Sequence, residues 1–240
     1  MRLMLIIAAL LLPMMGICPP ARAEALSVQA AKPLRPLARA LMSAFAERHP
    51  KLRLDLAGGE READVLLWLQ GPGSAGAAPK GLSGAAQVIG GRQLGIWSGV
   101  RNVGHMRAAN LLAPDFRRVA IADPATDPAG AAARHALMLA GVWGPLHGRL
   151  VIAADGEKAA ELVRSGAVDA GIVEMTVILN PRNKGFGSHA ALPGSGGGLA
   201  ELRAGLSPAG AQKPPALDLI SFLMSGAAGP VLARHGYGPR

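Results

Sequence analysis

Apolar residues recur along this chain with two alternating periods. From Leu26 to Ala31 they alternate (Leu26, Val28, Ala30), the two-residue period of a strand with one buried face. From Leu34 to His49 the spacing becomes helical, with Leu34, Leu37, Leu41 and Phe45 on one face. Pro33 and Pro36 fit only a first helical turn, which places the helix start near Lys32. Leu52, Leu54 and Leu56 alternate again and run into Gly58-Gly59, and Ala63 to Trp68 is an apolar run expected to be a buried third strand. Strand, helix, strand with short links predicts layered α/β structure with parallel pairing.

The pattern is weaker from residue 70 to 90, a stretch rich in Gly, Ala, Ser and Pro, which is expected to be loop or a poorly marked helix. Gln93 to Ser98 reads as a further strand and His105 to Leu112 as a short helical piece. Beyond them lies the most informative stretch, Val119 to Glu174. An apolar strand, Val119 to Ala122, enters an Asp123-Pro124 turn, and Pro128 stands where a first helical turn accepts it. Helical patterns follow over Gly130 to Leu139 and Glu157 to Arg164, and strands at Leu150–Ala153 and Ala170–Val173 flank the second. A strand-turn-helix unit leaves free backbone N–H groups and a positive helix end at the tip of a sheet, which suits an anion. Ile178 to Gly198 is irregular and Gly-rich, Leu199 to Leu206 carries the chain back, and two helices are expected from Ala216 to Leu223 and from Gly229 to His235.

Composition narrows the function classes. Arg2, the apolar run Leu3 to Met15 and Ala21-Arg22-Ala23 read as a targeting segment cleaved after Ala23, and the run is too short to span a bilayer. The single cysteine, Cys18, falls inside that segment, so the exported chain has no disulfide framework. The formal charge of +9 becomes 9 − 2 = +7 once Arg2 and Arg22 are removed, a basic balance that suits anionic ligands. Basic residues are scattered and aromatics are only 3%, which argues against nucleic acid. The six histidines are isolated, with no metal-like pair, and no nucleophile elbow, P-loop or His-Glu-x-x-His motif occurs. No metal, cofactor or catalytic residue is assigned, and no enzyme activity is expected.

Several motifs carry a resemblance. Asp123-Pro124-Ala125-Thr126 with Pro128-Ala129-Gly130, then Leu162-Val163-Arg164-Ser165-Gly166 with Asp169 to Val173, resemble the periplasmic molybdate-binding proteins of ABC importers, a type II solute-binding family. The tail, Phe222 to Ser225 and Val231 to Pro239, is similar to that family's end. The resemblance implies an α/β, two-lobed periplasmic-binding-protein fold with a ligand cleft between the lobes. Lobe one would comprise 24–91 plus 199–240, and lobe two 92–198. It further implies a monomer in the periplasm that passes a small anionic ligand (molybdate, tungstate or an organic anion) to an inner-membrane ABC permease.

The resemblance also nominates ligand-binding residues, some of them altered. Lys32 stands where the family carries a serine hydroxyl after the first strand, and the Gly-Ser-Ser-Gly-like turn expected after the second strand is replaced by Gly58-Gly59-Glu60-Arg61. Ala129 falls where the family donates a backbone N–H, and Asp155-Gly156 where the next helix opens and donates another. Glu174 replaces a tyrosine. Three readings of Lys32 and Glu174 compete. Both contact a different ligand, with an anionic group at the lysine and a cationic or hydroxyl group at the glutamate. Alternatively, Glu174 pairs with Lys32 or Arg61 as a closure latch. In the third, both face solvent in a decayed site. Asp123 is read as bending its turn, Asp64 as orienting a strand end, Trp68 and Trp97 as core, and Gly194 to Gly198 as a flexible surface loop. By the resemblance, molybdate or tungstate is the best single ligand, whereas the altered residues favour a larger or zwitterionic organic anion. The alternative function is an orphan periplasmic sensor or interaction module without a transport partner.

Overall fold

A computed structural model describes residues 25–57, 62–71, 78–195 and 199–238. The expected targeting segment and the Gly58 to Arg61 turn lie outside the described residues. Among the described residues eleven strands form two sheets, each with its own helices and its own apolar packing.

The first sheet is built from both ends of the chain. Strand β1 (Ala25–Ala30) is followed by a 3-10 turn at Lys32–Leu34, helix α1 (Arg35–Ala46), β2 (Arg53–Ala57) and β3 (Val65–Gln70). Strand β1 pairs in parallel with both β2 and β3, as the strand-helix-strand pattern requires. Strand β4 (Ser83–Arg92) completes the outward run. The chain returns in β10 (Glu201–Leu206), helices α6 (Pro214–Met224) and α7 (Gly229–Arg234), and β11 (Tyr237–Gly238). The order across the sheet is β11-β4-β10-β3-β1-β2. Leu34, Leu37, Leu41 and Phe45 lie on the buried face of α1 and its preceding turn, against Leu26, Val28 and Val65 of the sheet. Each such fully buried side chain stabilises the fold by about 1.5–3 kcal/mol through removal of apolar surface from water.

The second sheet comprises β5 (Leu94–Ser98), β6 (Val119–Ala122), β7 (Leu150–Ala153), β8 (Ala170–Glu174) and β9 (Ser188–Ala191), in the order β7-β6-β8-β5-β9. Helices α2 (Pro128–Leu139) and α3 (Trp143–Leu146) supply one apolar cluster, and α4 (Gly156–Arg164) with α5 (Met175–Ile178) the other. The helix α2 buries mostly alanine (Ala129, Ala132, Ala133, Ala136), so it lies close to the sheet. The chain crosses outward at Gln93, between Arg92 and Leu94, and returns between Ala191 and Glu201. This is a two-lobed α/β fold.

The region expected from sequence to be loop or weak helix contains β4, the longest strand among the described residues at ten residues. Its sequence, Ser-Gly-Ala-Ala-Gln-Val-Ile-Gly-Gly-Arg, has few residues with strand preference. Pairing holds it instead: β10 on one side, β11 on the other, with a register shift between Leu202 and Arg203 that breaks any alternation a reader of the sequence could follow. Likewise, the irregular stretch 178–198 contains β9, which zips onto β5. Ser195, expected in a flexible surface loop, is buried; its Oγ accepts from the Leu94 N–H at 2.9 Å and donates to the Leu192 carbonyl at 2.6 Å. That hydroxyl fastens the returning segment to the start of β5.

Candidate functional site

Strand register locates the edges that face the crossing. In the first sheet, Gln70 at the end of β3 lies opposite Glu201, which lies opposite Gly91 near the end of β4. The carboxyl end of β1, followed by Lys32, lies at this same edge, because Ala30 pairs with Leu67. In the second sheet, Val119 of β6 pairs with both Leu150 and Ala170, so β6, β7 and β8 end together, beside Leu94 at the start of β5. The residues just past those ends are Asp123, Asp155 and Glu174. Thus both sheets turn the carboxyl ends of their parallel strands toward the crossing, the edge at which open α/β sheets bind ligands.

Lys32 opens the 3-10 turn before α1 and is exposed, with no hydrogen bond or ion pair from its side chain among the described residues. Glu174 is half-buried and is not joined to Lys32. Its carboxylate accepts from Arg92 Nη1 at 3.0 and 3.4 Å and from Thr176 Oγ1 at 3.1 Å. The latch reading therefore changes partner: the cation facing Glu174 is Arg92, while Arg61 lies outside the described residues. No local pattern marks Arg92: it ends β4, whose strand character comes from its neighbours β10 and β11.

Tyr237, the chain's one tyrosine, joins the same group. It is buried, and burial pushes its phenol above the ordinary 10.0, an effect partly offset by the positive charge of the nearby Arg92 guanidinium. The close packing of Gly236 on Met175 and Thr176, where an added Cβ would stand 2.6 Å from the Thr176 nitrogen, holds the tail against the start of α5. A phenol thus lies beside Glu174, at the strand end where the family resemblance had anticipated a tyrosine.

Two helix starts converge on one carboxylate. Asp127 is the N-cap of α2: its Oδ1 accepts from Ala129 N–H at 2.7 Å and from Gly130 N–H at 3.3 Å. Its Oδ2 accepts from Gly156 N–H at 3.2 Å, at the start of α4. Asp155 caps α4 separately through Lys158 N–H at 2.7 Å. So the structure brings Ala129 and Gly156 together, as donors to Asp127, a residue not among those expected to bind ligand. The signal that could have found it was local, since Asp before Pro at a helix start is a capping pattern. The third bond, from a different helix, had no local signal.

The remaining acids are held in their own loops. Asp123 folds its turn, accepting from Ala125 N–H at 2.9 Å and Thr126 Oγ1 at 3.1 Å. Asp64 is buried far from that edge; it accepts from the Ser27 N–H at 2.9 Å and Oγ at 3.0 Å and pairs with Lys213 at 2.9 Å. Burial pushes its carboxyl upward, but the hydrogen bonds from Lys213 and Ser27 and the lysine charge prevail and hold it below the ordinary 3.8. Trp68 and Trp97 are both core residues, with Trp97 Nε1 donating to the Phe186 carbonyl at 3.1 Å. Among the described residues no cluster of His, Cys, Asp and Glu could hold a metal, and no helix is long and apolar enough to cross a membrane.

Comparison with known proteins agrees with this architecture. A family model described as bacterial extracellular solute-binding protein matches residues 26–238. Among solved structures, the chain is similar to the substrate-binding domain of a putative molybdenum ABC transporter from Clostridium difficile, with 18% identity, 90% of this chain and 99% of that one covered, and a TM-score of 0.60. It is also similar to a periplasmic molybdate-binding protein of Azotobacter vinelandii, with 21% identity, 90% and 99% coverage and a TM-score of 0.46. Among curated proteins, none matches the chain.

Proposed function

Since the chain belongs to the bacterial extracellular solute-binding protein family, we propose that it is the periplasmic binding component of an ABC importer, closing two lobes over a small zwitterionic or hydroxyl-bearing anion. The lobes are those expected from sequence, 24–91 plus 199–240 and 92–198, except that Arg92, as the last residue of β4, belongs to lobe one; the signal segment is removed after Ala23. The carrying observation is the asymmetry of the two facing edges: an exposed Lys32 with no side-chain partner among the described residues on the first, and the carboxylates of Asp123, Asp127 and Asp155 on the second. Lys32 receives the anionic group of the solute. Asp127 and Asp155, whose carboxylates stand at the α2 and α4 starts beside Ala129 and Gly156, receive its hydroxyl or cationic part, and Glu174 with Arg92 borders the cleft at the crossing.

Contacts made only when both lobes touch the solute shift an open–closed equilibrium, by no more than the difference in affinity for the two states. An inner-membrane permease then reads the closed form. The test is a thermal-shift panel on the exported protein with amino acids, small organic acids, molybdate, tungstate, sulfate and phosphate. A ligand at about a hundred times its dissociation constant adds roughly 2.7 kcal/mol, or about 5–10 °C for a chain of this size. A rise with an amino acid or hydroxy acid, abolished by Lys32→Ala, is expected. Silence across the panel would remove the solute-binding role.

A further inference from the structure

Capping α2 needs only the first two hydrogen bonds that Asp127 accepts, those from Ala129 and Gly130. The bond from Gly156 has another meaning. It comes from a second helix, one already capped by Asp155, and it reaches the other oxygen of the same carboxylate. Two positive helix ends and three backbone N–H groups therefore converge on a single negative charge. That is the arrangement by which helix starts grip an oxyanion, with the chain's own side chain in the anion's place.

We propose that Asp127 is the specificity-determining residue of the cleft: a built-in anion that occupies the oxyanion donors of the second lobe, so that free tetrahedral oxyanions are rejected there and a hydroxyl or ammonium group is accepted. This deepens the solute-binding reading and rests on it for which edge meets the solute. The donors are already committed, and an incoming anion would also face the carboxylate's charge. A hydroxyl or ammonium group meets the opposite situation. A carboxylate offers about four acceptor positions, and three are used by the backbone here, which leaves room for a donor from the ligand.

The experiment compares sulfate and molybdate, each against chloride at equal ionic strength, on the purified wild-type protein, Asp127→Ser and Asp155→Ser. Serine keeps a capping oxygen, removes the charge and leaves the Gly156 N–H without its acceptor. The wild type and Asp155→Ser are expected to show no rise in melting temperature, and Asp127→Ser a rise of about 5 °C or more with a saturating oxyanion. A rise in the wild type overturns the proposal, as does a folded Asp127→Ser protein that stays silent, or an equal gain in Asp155→Ser. If Asp127→Ser does not fold, Asp127→Asn, which keeps the shape of the cap, decides in the same way: a rise supports the proposal and silence overturns it. Failure of the wild type to bind any organic solute removes the proposed function without touching this comparison. Wild-type binding of molybdate removes only this inference.

Discussion

Arg92 Nη1 lies 3.0 Å from one oxygen of Glu174 and 3.4 Å from the other, so a cation at the end of a strand in the first sheet is shared by both oxygens of a carboxylate in the second. The two side chains are 34% and 17% exposed, between the surface and the buried extremes. Exposed pairs contribute about 0–1 kcal/mol, whereas removal of one partner of a buried pair costs about 3–5 kcal/mol. Glu174→Gln and Arg92→Met are each expected to cost about 1–2 kcal/mol, with a favourable coupling of about 1 kcal/mol in the double-mutant cycle. Urea unfolding of the four proteins measures it. Additive effects would mean that the contact does not join the lobes energetically.

Tyr237 reports on the same junction through pH. Its folded-state pKa is raised, so the folded phenol keeps its proton where the unfolded one has lost it. The stabilisation is therefore full below the ordinary value of 10.0 and declines as pH rises through the higher folded value. Tyr237→Phe removes the titrating group. Between about pH 9 and 11, its unfolding midpoint should fall less steeply than that of the wild type.

How far the sequence foretold this arrangement differs between elements for physical reasons. α1 was legible because Leu34, Leu37, Leu41 and Phe45 repeat at helical spacing and all are buried. The β6-turn-α2 unit was legible because Asp123-Pro124 and Pro128 are local signals, and the side chain of Asp123 does fold that turn. β4 was not legible, because its strand character comes from its neighbours β10 and β11, not from its own Gly and Ala residues. The site suffered from the same cause. The partner of Glu174 depends on which strand ends meet across the crossing, and Arg92 lies eighty-two positions away in sequence. Family resemblance pointed at Ala129 and Gly156 as donors, but only the geometry reveals that Asp127 takes both.

Asp64 makes the opposite pH prediction. Its pKa is lowered in the folded state, so its stabilisation is present above the ordinary 3.8 and is lost as pH falls through the lower folded value. Asp64 is only 4% exposed, and its carboxylate holds Ser27 and Lys213. Asp64→Asn should therefore cost about 2–4 kcal/mol at neutral pH, because it leaves the ammonium without its counter-charge and disturbs a buried hydrogen-bond group. The gap between variant and wild type should narrow below about pH 4 as the native carboxylate protonates. Denaturant midpoints from about pH 3 to 7 test this. A constant gap would show that packing, not charge, carries the residue's effect.

Gly130 links the core to the proposed cleft. A Cβ there would overlap the Ala122 carbonyl oxygen and stand 2.5 Å from the Asp123 carbonyl carbon, both backbone atoms that cannot swing aside. The missing side chain thus lets α2 start directly against the tip of β6, which sets Asp127 and Ala129 beside Gly156. Gly130→Ala must push the helix away from the strand. Such overpacking typically costs about 1–3 kcal/mol, and the upper end is expected where backbone meets backbone. Gly144, in α3, has nothing within 4 Å of an added Cβ and no positive φ, so Gly144→Ala should be neutral or raise stability by up to about 1 kcal/mol. Thermal melts of the two variants give the contrast. The Gly130→Ala protein, measured with a solute that stabilises the wild type, should also lose part of that ligand-induced rise. Retention of the full rise in a destabilised Gly130→Ala protein would detach the α2 start from the binding cleft.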